Sequence, residues 1–166
     1  AKIAAIAGRR MIKVQLELGG KDPVYVCEDV DVKATAAAVA DGAFYNTGQS
    51  CCSVERIYVH RSIHQAFVDA FVAEVKGYRA GDPMDEATYV GAITRRPQID
   101  VLKRQVADAR KKGARILLGG KPPERDDLSK GCYVEPTVVR AKPTDRVSQE
   151  EVFGPFVTVT TFRDDE

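Results

Sequence analysis

Cys51 and Cys52 stand side by side behind the run Asn46-Thr47-Gly48-Gln49-Ser50, whose residue types stop a helix and make a turn. A thiol in such a turn meets backbone N–H groups, which favour its thiolate and can hold the oxyanion formed when that thiolate attacks a carbonyl. The same residues also suit a buried structural thiol, so the pair alone leaves the chemistry open. Glu17 is the carboxylate best placed to act with a nucleophile. It lies between Leu16 and Leu18 and just before Gly19-Gly20, where partial desolvation would make it a general base. An outward residue on an alternating strand is the competing reading of Glu17. His60 and His64 are poorer bases, one closing a strand and the other opening a helix. Glu150-Glu151 reads as a solvated acidic pair and Phe153 as a core residue when each is taken alone.

Other chemistries are disfavoured. The stretch His60-Arg61-Ser62-Ile63-His64 has the outer spacing of a zinc-binding helix, but Arg61 stands where the motif needs glutamate. Cys27, Cys51, Cys52 and Cys132 form no paired C-x2-C units, so no metal site is expected. Gly19-Gly20, Gly119-Gly120 and Gly154-Pro155 read as turns rather than as a dinucleotide fingerprint or a phosphate-binding loop. Lys21 is expected to order its turn or pair with an acid. Arg95 and Arg96 could meet anionic groups but fit the exposed start of a helix.

Positioning these residues falls to alternating strands and helices. Val14, Leu16 and Leu18 alternate with polar residues and predict a short strand or extended segment that ends in the turn Gly19-Gly20-Lys21-Asp22-Pro23. The apolar run 24–27 predicts a strand, and Asp31 can cap a helix carrying Val32, Ala36, Val39, Ala40 and Ala43 that stops near Gly48. Residues 56–60 predict a strand, and Ile63, Ala66, Phe67, Ala70, Phe71 and Val75 repeat at helical spacing. The segment 77–83 breaks that helix. Ile99, Leu102, Val106 and Ala109 place a stripe on a further helix ending near Gly113. Strands are expected at 115–118, 133–139 and 156–162, with 119–131 a polar surface connection. The expected class is α/β: an open, twisted, mainly parallel sheet with flanking helices and mixed or hairpin-like additions after residue 114. An α+β domain is the alternative.

With 166 residues, 44% of them hydrophobic, the chain can build one ordinary core. Twenty-five basic against 24 acidic residues leave a net charge of +1, so no broad field points toward nucleic acid or an anionic membrane. The apolar runs fall short of a membrane span, and the first 20 residues lack the apolar core of a signal peptide. Four unpatterned cysteines fit a reducing, cytoplasmic compartment.

Taken together, Glu17-Leu18-Gly19-Gly20-Lys21, Gly48-Gln49-Ser50-Cys51 and Glu151-Val152-Phe153-Gly154-Pro155 resemble three ordered signatures of the aldehyde dehydrogenase superfamily. The similarity runs through nearly the whole chain. It includes 56–60 and Gly119-Gly120-Lys121. The resemblance implies a catalytic-domain fold with Cys51 as nucleophile, Glu17 as general base and Cys52 as a non-catalytic neighbour. It also implies that Glu151 hydrogen-bonds a cofactor ribose, that Phe153 packs near the nicotinamide ribose, and that Gln98 corresponds by position to a glutamine close to that ribose. The family reaction joins the thiolate to an aldehyde as a thiohemiacetal, oxidises it with NAD or NADP to a thioester, and hydrolyses the thioester. The oxyanion is held by the Cys51 N–H and by an upstream asparagine that no segment of this chain matches. Residues 1–166 are accordingly expected to be a partial catalytic domain, with the cofactor-binding domain and the C-terminal continuation absent. The implied partners are a small-molecule aldehyde and further copies in a homodimer or homotetramer, without nucleic acid or membrane. A cofactor-independent thiol hydrolase and a nonenzymatic scaffold or assembly domain are the alternatives.

Overall fold

Among the described residues, 2–123 and 125–163 of a computed structural model, five strands form one sheet. They are β1 (Asp22–Val26), β2 (Val54–His60), β3 (Arg115–Leu118), β4 (Thr137–Arg140) and β5 (Phe156–Phe162), in the order β1-β2-β5-β4-β3. The pairs β1–β2, β2–β5 and β5–β4 are parallel, and β3 runs antiparallel to β4. The mainly parallel α/β sheet and its mixed addition after residue 114 are therefore both present. Glu124 in the 119–131 connection and the terminal residues 164–166 lie outside the described residues.

The helices are α1 (Lys2–Arg9), α2 (Val32–Phe44), α3 (His64–Lys76), α4 (Arg96–Lys111), α5 (Asp126–Ser129) and α6 (Arg146–Gln149). Asp31 starts α2 by accepting a hydrogen bond from Ala34 N at 2.9 Å, which satisfies one of the N–H groups a helix start leaves unpaired. On one face of the sheet, Ala36, Val39, Ala40, Ala43 and Phe44 of α2 and Phe67, Phe71 and Val75 of α3 pack against Val26, Ile57, Val59, Val157 and Val159. Leu102 and Ala109 of α4 and Val147 of α6 cover Val139 and Phe156 on the other. With both faces covered, β5 is buried continuously from Phe156 to Val159, as a central parallel strand should be.

The differences from the sequence reading concern segments that lack a neighbour. Residues 12–21 join no ladder among the described residues, and Val14, Leu16 and Leu18 are exposed. Alternation marks a strand only where a partner accepts its hydrogen bonds. Helix α1, which no sequence signal flagged, buries none of its residues. The strand expected at 133–139 begins only at Thr137, because Pro136 has no N–H to donate to a ladder. The 119–131 connection contains the single turn α5.

For function, the consequence lies in the sheet order. β1, β2 and β5 are adjacent and parallel, so their amino ends share one edge. The motif around Gly19-Gly20 leads into β1, the Cys51 loop into β2 and the 151–155 motif into β5.

Candidate active site

Helix α2 ends at Phe44, and the chain tightens into a 3-10 turn (Tyr45–Gly48) in which Asn46, Thr47 and Gly48 take φ of 49°, 61° and 66°. Left-handed backbone suits glycine and is tolerated by asparagine. For β-branched Thr47 it is strained, by on the order of 1–3 kcal/mol. The strain is held by polar ties. Thr47 Oγ1 accepts from Gly91 N at 3.0 Å, Gln49 Oε1 accepts from Thr94 N at 2.8 Å, and Asn46 Nδ2 donates to Gln49 O at 3.0 Å. Beyond the turn, Ser50 Oγ accepts from Tyr45 Oη at 2.6 Å and from Cys52 N at 3.2 Å. Cys51 and Cys52 are both exposed, with sulfurs 3.7 Å apart. The hydrogen bond and charge of Cys51 push the Cys52 thiol up, keeping it protonated beside its neighbour. The Cys51 N–H has no acceptor among the described residues, which leaves it available to an oxyanion.

The other two motifs touch this loop. Gly20 N donates to Glu151 Oε1 at 3.1 Å. Gly19, at φ 110°, lies so close to the Glu151 carboxylate that any Cβ would overlap it, and a Cβ on Gly20 would stand 2.9 Å from Cys51 O. Gly48 lies against the Gly154 carbonyl, where a Cβ would come within 2.6 Å of its carbon. The three ordered motifs are thus in direct contact, and three glycines make the contact possible.

Glu17 itself is exposed rather than partly desolvated, as are residues 12–18 around it among the described residues. Glu151 is exposed, with Oε1 anchored by Gly20 N, and its carboxylate can accept from a vicinal hydroxyl. Phe153 is not a core residue. It is 38% exposed, belongs to neither apolar cluster and holds φ 51°. An exposed ring on strained backbone beside an oriented carboxylate has the chemistry to take a vicinal diol, since a carboxylate can accept from its hydroxyls and a ring face can restrict its motion. Gln98 is placed against this turn's backbone, its Nε2 donating to Val152 O at 2.6 Å.

Lys21 pairs with an acid as expected, through Nζ to Glu55 Oε2 at 2.7 Å. Burial pushes its ammonium down while Glu55 opposes that shift. Glu55, and Gln105 of α4, whose Nε2 reaches Glu151 O at 3.2 Å, escaped the sequence reading. The signal for Glu55 was present: in Val54-Glu55-Arg56-Ile57-Tyr58-Val59 it shares the face of Ile57 and Val59. Arg95 and Arg96 are exposed at the start of α4. His60 bonds Ser62 and Arg163 O, and His64 is buried against Arg140, so neither joins the motifs. A cavity of about 390 Å3 lies elsewhere, between α4 and residues 120–137; it is lined by Ile99, Val106 and Tyr133 and by none of Cys51, Glu17, Glu151 or Phe153.

A profile of the aldehyde dehydrogenase family matches residues 1–166. The betaine aldehyde dehydrogenase of Brucella anthropi is 35% identical over 166 residues, covering 99% of this chain and 34% of the relative. The chloroplastic betaine aldehyde dehydrogenase of Atriplex hortensis is 38% identical over 167 residues, covering 100% and 33%. The crystal structure of PnpE from Pseudomonas sp. WBC-3 is 43% identical with a TM-score of 0.95, covering 99% of this chain and 34% of that one. Another PnpE structure, with the same identity and TM-score, is a complex with nicotinamide adenine dinucleotide. The chain therefore spans about a third of the length of the relatives it matches. On the match along its whole length, this chain belongs to the aldehyde dehydrogenase family.

Proposed function

We propose that the protein carrying this chain oxidises a small-molecule aldehyde to its carboxylic acid with NAD or NADP, using Cys51 as nucleophile. The observation that carries this reading is the contact of the three motifs. The Gly19-Gly20 backbone lies between Cys51 O and the Glu151 carboxylate, and Gly48 lies on Gly154.

The Cys51 thiolate adds to the aldehyde carbon, forming the S–C bond of a thiohemiacetal while the Cys51 N–H steadies the negative oxygen. Glu151 and Phe153 would hold the cofactor's ribose, and Gln98 supports the backbone between them. A nicotinamide bound there would supply the two-electron oxidant, accepting the hydride that leaves the thiohemiacetal carbon as its C=O re-forms and a thioester remains on Cys51. Glu17, exposed on a segment joined to the Cys51 loop through Gly20, takes a proton from water. The water oxygen bonds the thioester carbon, the S–C bond breaks, and the acid leaves with Cys51 restored. The same reading takes the enzyme to be a homodimer or homotetramer in the cytoplasm. All four cysteines are free, as a reducing compartment requires, and no helix among the described residues is long and apolar enough to cross a membrane.

Stopped-flow measurement of reduced nicotinamide, together with acid release, tests the roles in the enzyme that carries this chain. Cys51→Ala is expected to abolish aldehyde-dependent reduction. Glu17→Gln should keep the first turnover and slow acid release by about 10²- to 10⁴-fold, the usual worth of a general base. Unchanged turnover in Cys51→Ala, or normal deacylation in Glu17→Gln, would overturn the corresponding assignment.

A further inference from the structure

We propose that Glu55 is a positioning residue for the cofactor-side turn: its buried carboxylate sets the backbone of Val152 and Phe153, and thereby the Phe153 ring and the Glu151 carboxylate. The inference deepens the dehydrogenase reading and rests on it for what the turn holds.

Glu55 is 3% exposed at the start of β2, on the face that carries Ile57 and Val59. A carboxylate there is unfavourable unless its oxygens are bonded. Val152 N donates to Oε1 at 3.0 Å and to Oε2 at 2.9 Å, Phe153 N donates to Oε1 at 2.9 Å, and Lys21 Nζ reaches Oε2 at 2.7 Å. Neutralising the charge would need only Lys21. Two consecutive backbone N–H groups on one carboxylate require in addition that the chain curl around it, and the curl is where Phe153 takes its positive φ. Such a conformation in an aromatic residue persists only when its surroundings over-determine it.

The opposite side of the turn is held as well. Gln105 Nε2 donates to Glu151 O and Gln98 Nε2 to Val152 O, so α4 takes the carbonyls and β2 takes the N–H groups. Glu55 is itself steadied by Thr158 Oγ1, which donates to its carbonyl at 3.1 Å from β5. Through Lys21 the same carboxylate reaches the segment that carries Gly19 and Gly20, whose N–H holds Glu151. Glu55 thereby fixes both the backbone beneath Glu151 and the donor that orients its side chain.

The test uses Glu55→Gln, which keeps the shape but cannot accept from all three donors, and Glu55→Asp, which keeps the charge needed by Lys21 but draws the oxygens back by one methylene. In the enzyme that carries this chain, Glu55→Gln should raise KM for NAD by about tenfold, the worth of one hydrogen bond to a charged group. Alkylation of Cys51 by iodoacetamide should change less than KM for NAD does, since among the described residues the Glu55 carboxylate bonds Val152, Phe153 and Lys21 and reaches the Cys51 loop only through the Lys21-Gly20 segment. Glu55→Asp should show the same selective rise in smaller measure. In both variants the Val152 and Phe153 amides should exchange with deuterium about tenfold faster, with Ile57 and Val159 unchanged. A lowered melting temperature with unchanged KM for NAD and unchanged exchange at Val152 and Phe153 would mean a structural ion pair and overturn the proposal. Absence of aldehyde-dependent NAD reduction in the parent enzyme would sink the dehydrogenase reading instead. The amide exchange would then decide the positioning claim by itself, with unchanged protection refuting it.

Discussion

Gly48→Ala separates the backbone demand of the Cys51 loop from its contact with the 151–155 turn. Gly48 has φ 66°, so alanine there costs roughly 1–2 kcal/mol for left-handed backbone alone. The new methyl would also lie 2.6 Å from the Gly154 carbonyl carbon and 3.1 Å from Pro155 N. Both are backbone atoms and cannot turn aside as a flexible side chain would. Forcing them apart adds roughly 1–3 kcal/mol, the range for overpacking a filled site, and the total is about 2–5 kcal/mol. Gly113→Ala supplies the control, because Gly113 has φ 82° and nothing within 4 Å of its added Cβ. It should cost only the backbone amount. Urea unfolding of the two variants, analysed with a common m-value, gives the contact contribution as their difference. Because Gly154 adjoins Phe153, Gly48→Ala should also raise KM for NAD while Gly113→Ala leaves it alone. Equal destabilisation by the two substitutions would refute the argument that the Cys51 loop is seated on the cofactor-side turn.

Two titrating groups give further tests. Burial, and then Arg140, push His64 below its usual range, so the unfolded chain takes up this proton more readily than the folded one. Stability contributed by neutral His64 is complete above about pH 6.5 and is lost as pH falls through the folded value. Urea midpoints measured from pH 8 to 5 should show that loss, and His64→Gln should diminish it; identical slopes would remove His64 as the cause. The raised Cys52 thiol should make it the slowest of the exposed Cys27, Cys51 and Cys52 to react with iodoacetamide at pH 8, and peptide mass spectrometry showing Cys52 modified first would contradict this.

The sheet was readable in the sequence wherever apolar period and burial coincide. Asp31 and the alanine-rich stripe marked α2, and the run Phe156-Val157-Thr158-Val159 marked a strand covered on both faces. At Val14, Leu16 and Leu18 alternation left a strand and an unpaired segment both open, because a period of two reports a surface and not a neighbouring strand; among the described residues no strand pairs there. Of the site, the three motifs were legible as words. Their contact was not, since it depends on β5 sitting next to β2 with β4 beyond it, an order that no local pattern encodes. Phe153 read as core because aromatic residues usually are, whereas its exposure follows from a positive φ that no side-chain pattern announces. Glu55 was in plain view on an apolar face, and its donors came from residues 152 and 153, close to a hundred positions away.

The placement of the site also explains why polar side chains, and not apolar packing alone, hold it. Open parallel sheets commonly bind ligands at the carboxyl ends of their strands, where helix N-termini offer N–H groups. Here the motifs meet at the amino ends of β1, β2 and β5, in the connections that approach the strands. Two of those connections leave helix C-termini, α2 leading into the Cys51 loop and α6 into the 151–155 motif, and three non-glycine residues in them, Asn46, Thr47 and Phe153, have positive φ. Each such residue costs on the order of 1–3 kcal/mol and would relax if released. Cys51, Glu151 and Phe153 belong to neither apolar cluster; buried Val152 anchors the 151–155 turn in one of them, and groups that grip the backbone directly set its direction. Gln49 and Thr47 do so for the Cys51 loop, and Glu55, Gln98 and Gln105 for the 151–155 turn. Hydrogen bonds to backbone constrain direction as well as distance, which apolar contact does not. In this arrangement, losing one amide or carboxylate far from the reacting carbon can displace the site while both cores keep the fold intact.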